Sequence, residues 1–314
     1  MEKKKLLVVG ELNVDLILND IQGFPKIGEE IVANKMNLTL GSSSAIFASN
    51  ISTLGVDTAF CGMVGEDYFG GFIESKLQEK GVDCTYLRRL KEKQSGVTVV
   101  MNYDQDRANV TYCGAMEELG IQDIPWDHIG QFGHLHFSNL FLQNKIRKDI
   151  VALFEKAKSK GLTTSLDLQT DPDGVFDFDY RACLPFVDIF LPNKSELLGI
   201  TKADTIDDAM EIIKPFANSV VVKMGEQGSI LYNGQGKTVA QGYLHDSFVD
   251  AIGAGDSFNA GFISKFLSGE KLEACLNFGN LIGAINTTAA GGTGAFDSRE
   301  HYIKIAKEIF NQEI

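Results

Sequence analysis

A short run of small residues in front of an acid is the part of this sequence best suited to chemistry. It spans Val249–Phe262, with Gly253, Ala254 and Gly255 directly before Asp256. Small residues let backbone N–H groups approach an anion, and the start of a helix adds a positive partial charge. A carboxylate there can take a proton from a hydroxyl that attacks phosphorus. The same residues also fit a glycine-rich turn in which Asp256 only caps a helix, and chemistry alone leaves both interpretations open.

The elements that must position this segment alternate along the chain between short apolar runs and amphipathic stretches. Predicted strands are Leu6–Gly10, Thr58–Val64, His134–Phe137, Thr163–Asp167, Ile189–Pro192 and Val220–Met224. Predicted helices are Ser43–Leu54, Phe69–Lys80, Ile146–Lys160, Ser195–Leu198, Asp207–Phe216 and Leu276–Ile285. This alternation predicts an α/β fold with helices on both faces of a parallel sheet. Ligands of such folds bind at the carboxyl ends of the strands.

The pattern changes between Gly96 and Cys113. Apolar residues take alternate positions on both sides of the polar stretch Asn102–Arg107, namely Val97, Val99 and Met101 before it and Ala108, Val110 and Tyr112 after it. This alternation predicts a β-hairpin without an attached helix. Because no repeat or linker interrupts the rest, we predict one main domain with a small β insertion.

The composition argues against several classes of partner. Basic residues number 29 and acidic residues 42, so the net charge is 29 − 42 = −13. Binding along a nucleic-acid backbone needs the opposite charge, whereas a nucleotide needs only a few local cations and amides. The apolar run at 6–10 is too short for a signal peptide, and no run reaches the ~18 apolar residues of a membrane span. Five widely spaced cysteines predict free thiols, as is usual in the cytoplasm. Together these observations lead us to expect a cytoplasmic protein without nucleic-acid or membrane partners.

The segment Asp250–Gly261 resembles the C-terminal signature of the ribokinase (PfkB) carbohydrate kinase family, D-T-x-G-A-G-D-x-F. Further matches follow the family's order along the chain: Gly10–Asp15, Phe24–Glu29, Leu54–Gly70, Asn193–Glu196 and Val221–Gly228. The resemblance implies a ribokinase-like three-layer α/β/α fold with a mostly parallel central sheet and a small β-sheet lid. It also implies one catalytic domain over residues 1–314, with the lid formed by approximately 12–40 and 96–113.

The activity that the resemblance implies is ATP-dependent phosphorylation of a hydroxyl on a sugar or a sugar-derived small molecule. Asp256 would be the general base, and the N–H groups of Gly253, Ala254 and Gly255 would form an anion hole for the transferred phosphoryl group. The ordered matches favour this interpretation over the helix cap.

Roles at the nucleotide and metal are also implied by the resemblance. Asn193 and Glu196 match the motif N-x-x-E, which would organise Mg²⁺ through its waters; the alternative is that both cap a helix. Gly225 and Gly228 would let the backbone pass close to the nucleotide, or they form an ordinary turn. Lys223 stands where many members carry Thr and would add a charge near the phosphates.

Two further implied sites lie towards the C-terminus. Asn280 would lie near adenine, with an ordinary polar helix position as the alternative. Asp250 and the carbonyls of Ile252 and 289–292 resemble a site for a monovalent cation, K⁺, that some members of the family have.

The acceptor side departs from the family pattern. Asp15 would accept hydrogen bonds from two neighbouring hydroxyls, or it is a surface acid. The signature G-G-x-x-x-N-x-A begins here with Gly41, but Ser42 replaces its second glycine and Ile46 replaces its substrate-contacting Asn. The resemblance still implies that Gly41 and Ser42 bind the substrate, because a serine can donate a hydrogen bond to a sugar hydroxyl. The segment 167–171 lacks the Arg of the usual D-x-N-x-R. The class of activity withstands these changes, but the identity of the substrate stays open.

Three other motifs invite functional interpretations that we set aside. Leu231–Thr238 is close to a Walker A motif, but its first glycine is missing and it has the pattern of a hairpin. His134 and His136 offer two imidazoles, but we expect them on opposite faces of their strand, as structural histidines. Asp171–Asp179 lacks the spacing and the terminal Glu of an EF-hand and is predicted to be an acidic surface loop.

Competing functions remain at this stage. A nucleoside kinase of the same fold would stack a base on aromatic residues, for which Phe47, Tyr103 and Tyr112 are candidates. A non-catalytic sensor of sugars or nucleotides would not need to keep Asp256. Edge strands in such lids often pair across a dimer, so a homodimer is expected.

Overall fold

The computed structural model describes residues 5–103 and 107–314. Its strands are β1 (Lys5–Gly10), β2 (Asn13–Ile21), β3 (Ala33–Leu40), β4 (Thr58–Gly65), β5 (Asp83–Leu90), β6 (Gly96–Asn102), β7 (Arg107–Tyr112), β8 (Phe132–Ser138), β9 (Thr163–Asp167), β10 (Ile189–Phe190), β11 (Val220–Lys223), β12 (Ser229–Asn233) and β13 (Gly236–Ala240). Its α-helices are α1 (Ser43–Thr53), α2 (Tyr68–Glu79), α3 (Asn144–Arg147), α4 (Ile150–Ser159), α5 (Tyr180–Cys183), α6 (Lys194–Thr201), α7 (Ile206–Ile213), α8 (Ala254–Leu267), α9 (Leu272–Asn286) and α10 (Arg299–Phe310).

The larger sheet has the strand order β13-β12-β11-β10-β9-β8-β1-β4-β5 within the described residues. From β11 to β5 all neighbours pair in parallel, and β12 and β13 extend the sheet in antiparallel fashion. Parallel neighbours need crossover connections, and helices supply most of them here. The predicted α/β class with a mostly parallel central sheet is therefore confirmed.

Both faces of the larger sheet are buried. In β1, Leu7 and Val9 pack into the hydrophobic cluster that also contains residues of α4, α6 and α7. Leu6 and Val8 point the other way, into the cluster formed with α1, α2, α8 and α9. Successive strand residues face opposite sides, so a strand covered on both sides must be apolar throughout, which explains the run Leu6-Leu-Val-Val.

A smaller sheet has the order β3-β2-β6-β7. The predicted hairpin is confirmed as β6 and β7; residues 104–106 of its predicted turn lie outside the described residues. Asp15 pairs with Thr39 and Thr98, and Thr98 pairs with Thr111, so these polar residues form a row across one face. The alternate positions are apolar: Leu16, Leu38, Val99 and Val110 in one row, and Leu18, Met36, Met101 and Ala108 in the next.

One predicted helix is wrong in its extent. The stretch 146–160 is divided between the end of α3 and the whole of α4, with Asp149 at the N-cap position of α4, where its side chain makes no capping hydrogen bond. Aspartate is a poor residue inside a helix and a good one at its start.

Two of the composition-based expectations can be compared with the structure. No helix in the described part of the chain is long and apolar enough to cross a membrane. All five cysteines are free thiols, as predicted.

Candidate active site

Asp256 lies in the first turn of α8, at the edge of a cavity of about 790 Å³. The helix begins after Gly253, whose φ of +73° is a left-handed conformation that glycine adopts without strain. The Asp256 side chain is only 7% exposed. Its carboxylate accepts a hydrogen bond from Gln169 Nε2 at 2.9 Å and, among the described residues, none from a helix amide. The helix-cap interpretation of Asp256 is therefore wrong.

The electrostatic surroundings hold Asp256 ready to accept a proton near neutral pH. Burial, reinforced by the negative charge of Asp167, raises the pKa of Asp256 to about 7. The ammonium of Lys223 and the hydrogen bond from Gln169 act in the opposite direction. A base whose pKa matches the working pH is effective in proton transfer.

The amides at the start of α8 are partly available to a ligand. The N–H groups of Gly253 and Gly255 have no acceptor among the described residues, whereas Ala254 N–H donates to Ala251 O at 3.3 Å. The predicted three-amide anion hole therefore has two amides without a partner. A helix start leaves such donors free and adds positive partial charge, which suits an anion.

Lys223 brings a positive charge to the same place. A Cβ atom at Gly255 would lie 3.7 Å from Lys223 Nζ, so the ammonium adjoins the first turn of α8. Lys223 Nζ also donates to Asp167 Oδ2 at 3.0 Å. Burial by itself lowers the pKa of Lys223, but Asp167 and other nearby carboxylates raise it above its ordinary value, so the side chain stays charged.

Asp167 connects these residues. It ends β9, its side chain is 0% exposed, and Oδ2 accepts hydrogen bonds from Asn259 Nδ2 at 2.6 Å and Gln169 Nε2 at 3.0 Å in addition to Lys223. Gln169 thus contacts both Asp167 and Asp256. The sequence indicated the segment 167–171 only as a departure from the family pattern and did not identify Gln169 as a partner of Asp256.

Asn193 and Glu196 form a capping box at the start of α6. Asn193 Oδ1 accepts from Glu196 N–H at 2.9 Å, and Glu196 Oε2 accepts from Asn193 N–H at 2.9 Å. The helix-cap alternative is thus observed, and both residues also line the larger cavity. Burial first, and then the charge of Asp167, raises the pKa of Glu196 to about 8. A nearby cation would favour its ionised form.

The acceptor side of the cavity contains Asp15, on the polar row of the smaller sheet. Burial raises the pKa of Asp15 to about 6, against a hydrogen bond from Asn13. Asn13 Nδ2 lies 3.3 Å from Asp15 Oδ1 and donates to Thr98 Oγ1 at 2.6 Å. Asp15 is therefore a buried cavity residue and not a surface acid.

Gly41 gives Asp15 the space that it occupies. A Cβ atom at Gly41 would overlap Asp15 Oδ1 and come within 2.9 Å of Asn13 Oδ1. We predict that Gly41→Ala displaces the carboxylate and raises KM for the acceptor about tenfold or more, with KM for the nucleotide unchanged. Steady-state kinetics with each substrate varied in turn measures the two values. Gly71→Ala is the control, because a Cβ atom there meets no atom within 4 Å; equal effects of both variants would contradict this prediction.

Glu11 is a cavity residue that the sequence analysis missed. Its carboxylate, 1% exposed, accepts hydrogen bonds from Ser42, Ser43 and Ser44 and from Asn139 Nδ2. Burial raises its pKa. The available signal was its position immediately after β1, at the carboxyl end of a parallel strand.

Ser42 shows what the change from glycine costs locally. Its φ of +69° lies in the region that favours glycine, yet its hydroxyl contacts Glu11 and accepts from Ala45 N–H at 3.0 Å at the start of α1. The backbone strain at this serine is therefore offset by a helix cap and by a contact with a buried carboxylate.

A second cavity, of about 440 Å³, adjoins the first. The two cavities share the residues Lys223, Gly225, Ala251 and Gly255. Gly228 lines the second cavity with φ of +88°, and a Cβ atom there would overlap the Ala240 carbonyl oxygen. Only glycine fits this turn, which brings backbone close to any ligand. Asn280 also lines this cavity, where its Nδ2 donates to Gln241 O at 3.2 Å.

Asp250 joins the two segments expected at the monovalent-cation site. Its carboxylate accepts from Ile252 N–H and from Gly291 N–H, both at 2.9 Å. The Ile252 carbonyl accepts from Asn286 Nδ2 at 2.6 Å. The structure thus brings the predicted ligands together, and backbone and side-chain amides already donate hydrogen bonds to their oxygen atoms.

The motifs set aside earlier have the following structures. Leu231–Thr238 lies across the antiparallel pair β12 and β13, so the predicted hairpin is confirmed. The expectation that the two histidines lie on opposite strand faces was wrong: His134 and His136 both contact Ser165 Oγ at 2.7 Å, because residues two apart share a strand face. Their hydrogen bonds agree with the predicted structural role. Both imidazoles are buried. Within the described residues, no group of three or more His, Cys, Asp or Glu side chains is arranged to hold a metal ion.

A buried carboxyl group with a pKa of about 7, two helix-start amides without an acceptor among the described residues, and a buried ammonium would suit the transfer of an anionic group to a hydroxyl. Two adjoining cavities at the carboxyl ends of parallel strands provide space for two ligands. This combination of fold and site defines a small-molecule phosphotransferase.

The chain belongs to the pfkB family of carbohydrate kinases. The model of this family, described as pfkB family carbohydrate kinase, matches residues 3–299. It is 28% identical to an ATP-dependent ribose-1-phosphate kinase of Halopiger xanaduensis over 93% of this chain and 94% of that protein. It is 26% identical to a 2-dehydro-3-deoxygluconokinase of Bacillus subtilis over 83% and 84% of the two chains.

Solved structures show the same fold. The ribokinase of Arabidopsis thaliana complexed with ribose and ATP superposes with a TM-score of 0.80 at 24% identity, over 97% of this chain and 99% of that chain. The ribokinase of Thermotoga maritima gives a TM-score of 0.82 at 23% identity, over 97% and 100%. The ribokinase-like fold is thereby confirmed.

Proposed function

We propose that this protein transfers the γ-phosphoryl group of ATP to a hydroxyl of a sugar or sugar-derived molecule, with Asp256 as the general base. The observation that carries the proposal is the position of Asp256, which lines the larger cavity beside residues that face both cavities. A hydroxyl bound there would lose its proton to Asp256 while it attacks a phosphate bound in the second cavity.

The groups around the transferred phosphoryl would stabilise its charge. The N–H groups of Gly253 and Gly255 point from the start of α8, and Lys223 adds an ammonium beside them. Ala254 N–H joins them only if its weak bond to Ala251 opens. Gly225, Gly228 and Asn280 would hold the nucleotide in the smaller cavity.

Two cations complete the proposal. Asn193 and Glu196 would hold Mg²⁺ through its waters. This role fits the structure because the Glu196 carboxylate lines the cavity, and binding through waters would leave its capping bond to Asn193 N–H intact. The ion would neutralise charge at the phosphates. Asp250 and the Ile252 carbonyl would hold K⁺, which fits their position at the junction of two backbone segments.

The smaller sheet would act as the lid of a single catalytic domain. Its polar row, which includes Asp15, Thr98 and Thr111, lines the larger cavity from one side, and Asp256 lies on the other. Closure over the acceptor would exclude water from the phosphoryl group. We include residues 12–40 and 96–113 in this lid.

The outer face of the lid would pair two copies of the chain. Met36, Val110 and Tyr112 are exposed there, together with Phe24 and Ile27 of the preceding loop. An exposed apolar face of this kind marks an association surface. Sedimentation at micromolar concentration should show a dimer that Val110→Lys converts to a monomer; Val239→Lys, at an equally exposed strand position elsewhere, should leave the dimer intact.

The three aromatic candidates for stacking a nucleoside base, Phe47, Tyr103 and Tyr112, are not among the residues that line either cavity. Phe47 is fully buried and stacks on His136 with ring centroids 3.7 Å apart, so its face is already covered. Tyr112 lies on the outer side of the smaller sheet, at an alternate position to Thr111. A sensor without catalysis would not need an acid with the surroundings of Asp256.

A screen of ATP consumption with sugars, sugar acids, polyols and nucleosides tests the proposal. We expect turnover with at least one sugar-like acceptor. Turnover with nucleosides alone would overturn the sugar assignment, and tight ligand binding without any turnover would establish a sensor.

The pH dependence follows from the raised pKa of Asp256. A general base works in its ionised form, so kcat/KM should fall as the pH drops through about 7 and level off above it. Rates between pH 5.5 and 9 with a fixed acceptor measure this. In Asp256→Asn the residual rate should lack this dependence, and the same acid limb in the variant would rule out Asp256 as its source.

A further inference from the structure

Ile46 is a buried apolar residue that belongs to the acceptor cavity and not to the hydrophobic core. Its neighbours Ala45, Phe47 and Ala48 all pack into the core cluster behind α1, whereas Ile46 lines the cavity at 3% exposure. Its side chain points from α1 towards the turn that precedes α8.

Close packing fixes the orientation of Ile46. A Cβ atom at Gly253 would lie 3.1 Å from Ile46 Cγ2, and one at Gly292 would overlap Ile46 Cδ1. Backbone therefore touches the side chain from two sides, and the closely packed isoleucine cannot turn away to admit a polar partner. Because Gly253 precedes Asp256 by one helical turn, Ile46 adjoins the place where the acceptor hydroxyl reacts.

The larger cavity is lined mainly by polar side chains, and Ile46 and Ile252 form a small apolar patch beside the turn that precedes α8. Asp15, Asn13 and Thr98 provide hydrogen-bonding atoms on the smaller sheet. At this patch, the side chains of Ile46 and Ile252 offer only carbon. A hydroxyl that faced Ile46 would be buried without a side-chain partner there, whereas a methylene or methyl group would gain apolar contact.

We propose that the acceptor has a carbon without a hydroxyl one or two carbons from the hydroxyl that is phosphorylated, and that Ile46 selects this deoxy position. The inference rests on the proposed kinase function and narrows its substrate class to deoxy sugars and deoxy sugar acids. Diol recognition by Asp15 and exclusion by Ile46 would act on different parts of the same molecule.

Pairs of acceptors that differ in one hydroxyl test this selection. We would compare D-ribose with its 2-deoxy and 3-deoxy derivatives, D-glucose with its 2-deoxy and 3-deoxy derivatives, and D-gluconate with 3-deoxy-D-gluconate. For the wild-type protein we expect kcat/KM of at least one deoxy derivative to exceed that of its parent about tenfold or more. A preference for the parent in every pair would overturn the inference.

A matched pair of variants assigns the effect to Ile46. Ile46→Thr and Ile46→Val have nearly the same shape, but only threonine offers a hydroxyl to the substrate. The deoxy preference should fall several-fold in Ile46→Thr and persist in Ile46→Val, with Ile46→Asn as a second polar variant. An unchanged ratio in the polar variants would overturn the inference alone. Absence of turnover with every acceptor would overturn the proposed function and the inference together. If a variant does not fold, the comparison of acceptors with the wild-type protein still tests the inference.

Discussion

Asp256→Asn is expected to lower kcat by about 10²–10⁴ while nucleotide binding and folding stay near wild type. Asparagine keeps the size of the side chain and an oxygen that accepts from Gln169, but it cannot take the proton of the acceptor. Initial rates from a coupled ATP assay give kcat, and calorimetric titration with the nucleotide gives its Kd.

The stability of Asp256→Asn provides an internal check. The folded-state pKa of about 7 lies above the ordinary value of 3.8, so ionisation of the carboxylate destabilises the folded protein. This destabilisation develops as the pH rises from about 4 to 7 and is fully present above pH 7. The neutral amide should therefore not lower Tm at pH 8. Asp15→Asn is the matched control, and there we expect mainly a higher KM for the acceptor. Substantial residual turnover in Asp256→Asn would refute the assigned base.

Lys223→Met is expected to lower both the stability and the activity of the protein. Methionine leaves Asp167, which is 0% exposed, with only the amide donors of Asn259 and Gln169. Breaking a buried ion pair from one side costs about 3–5 kcal/mol in the free energy of unfolding. The loss of the ammonium beside Gly255 should also lower kcat about 10²-fold or more. Urea denaturation and steady-state rates measure the two effects.

A double variant separates these two effects. In Lys223→Met with Asp167→Asn, the uncompensated carboxylate is gone, so most of the stability should return. The charge near the phosphoryl group is still missing, so the activity should not return. Recovery of both would show that Lys223 acts only as the structural partner of Asp167.

The sequence predicted the main strands and the glycine turn before α8 because both depend on local patterns. A run such as Leu6–Gly10 is apolar at successive positions because the sheet is covered on both faces. Glycine occurs at 253 and 228 because the backbone there has a positive φ, which glycine adopts without strain. The resemblance to the family added roles for Asp15 and Asp256, and the structure places both residues at one cavity.

Contacts between distant residues could not be predicted in this way. Gln169 and Asp256 are 87 positions apart, and nothing in either segment specifies that they meet. The burial of Glu11 depends on three serines and Asn139 from two other parts of the chain. The break between α3 and α4 was not predicted from the sequence either.

The wall shared by the two cavities provides a physical route by which two bound ligands would influence each other. Lys223, Gly225, Ala251 and Gly255 face both spaces, so an occupant of one cavity touches atoms that also border the other. Any change in the affinity for the acceptor that the bound nucleotide causes must be matched by an equal change in the affinity for the nucleotide, since the two orders of binding form a closed thermodynamic cycle. If contact with the shared wall changes one dissociation constant, the other must change by the same factor.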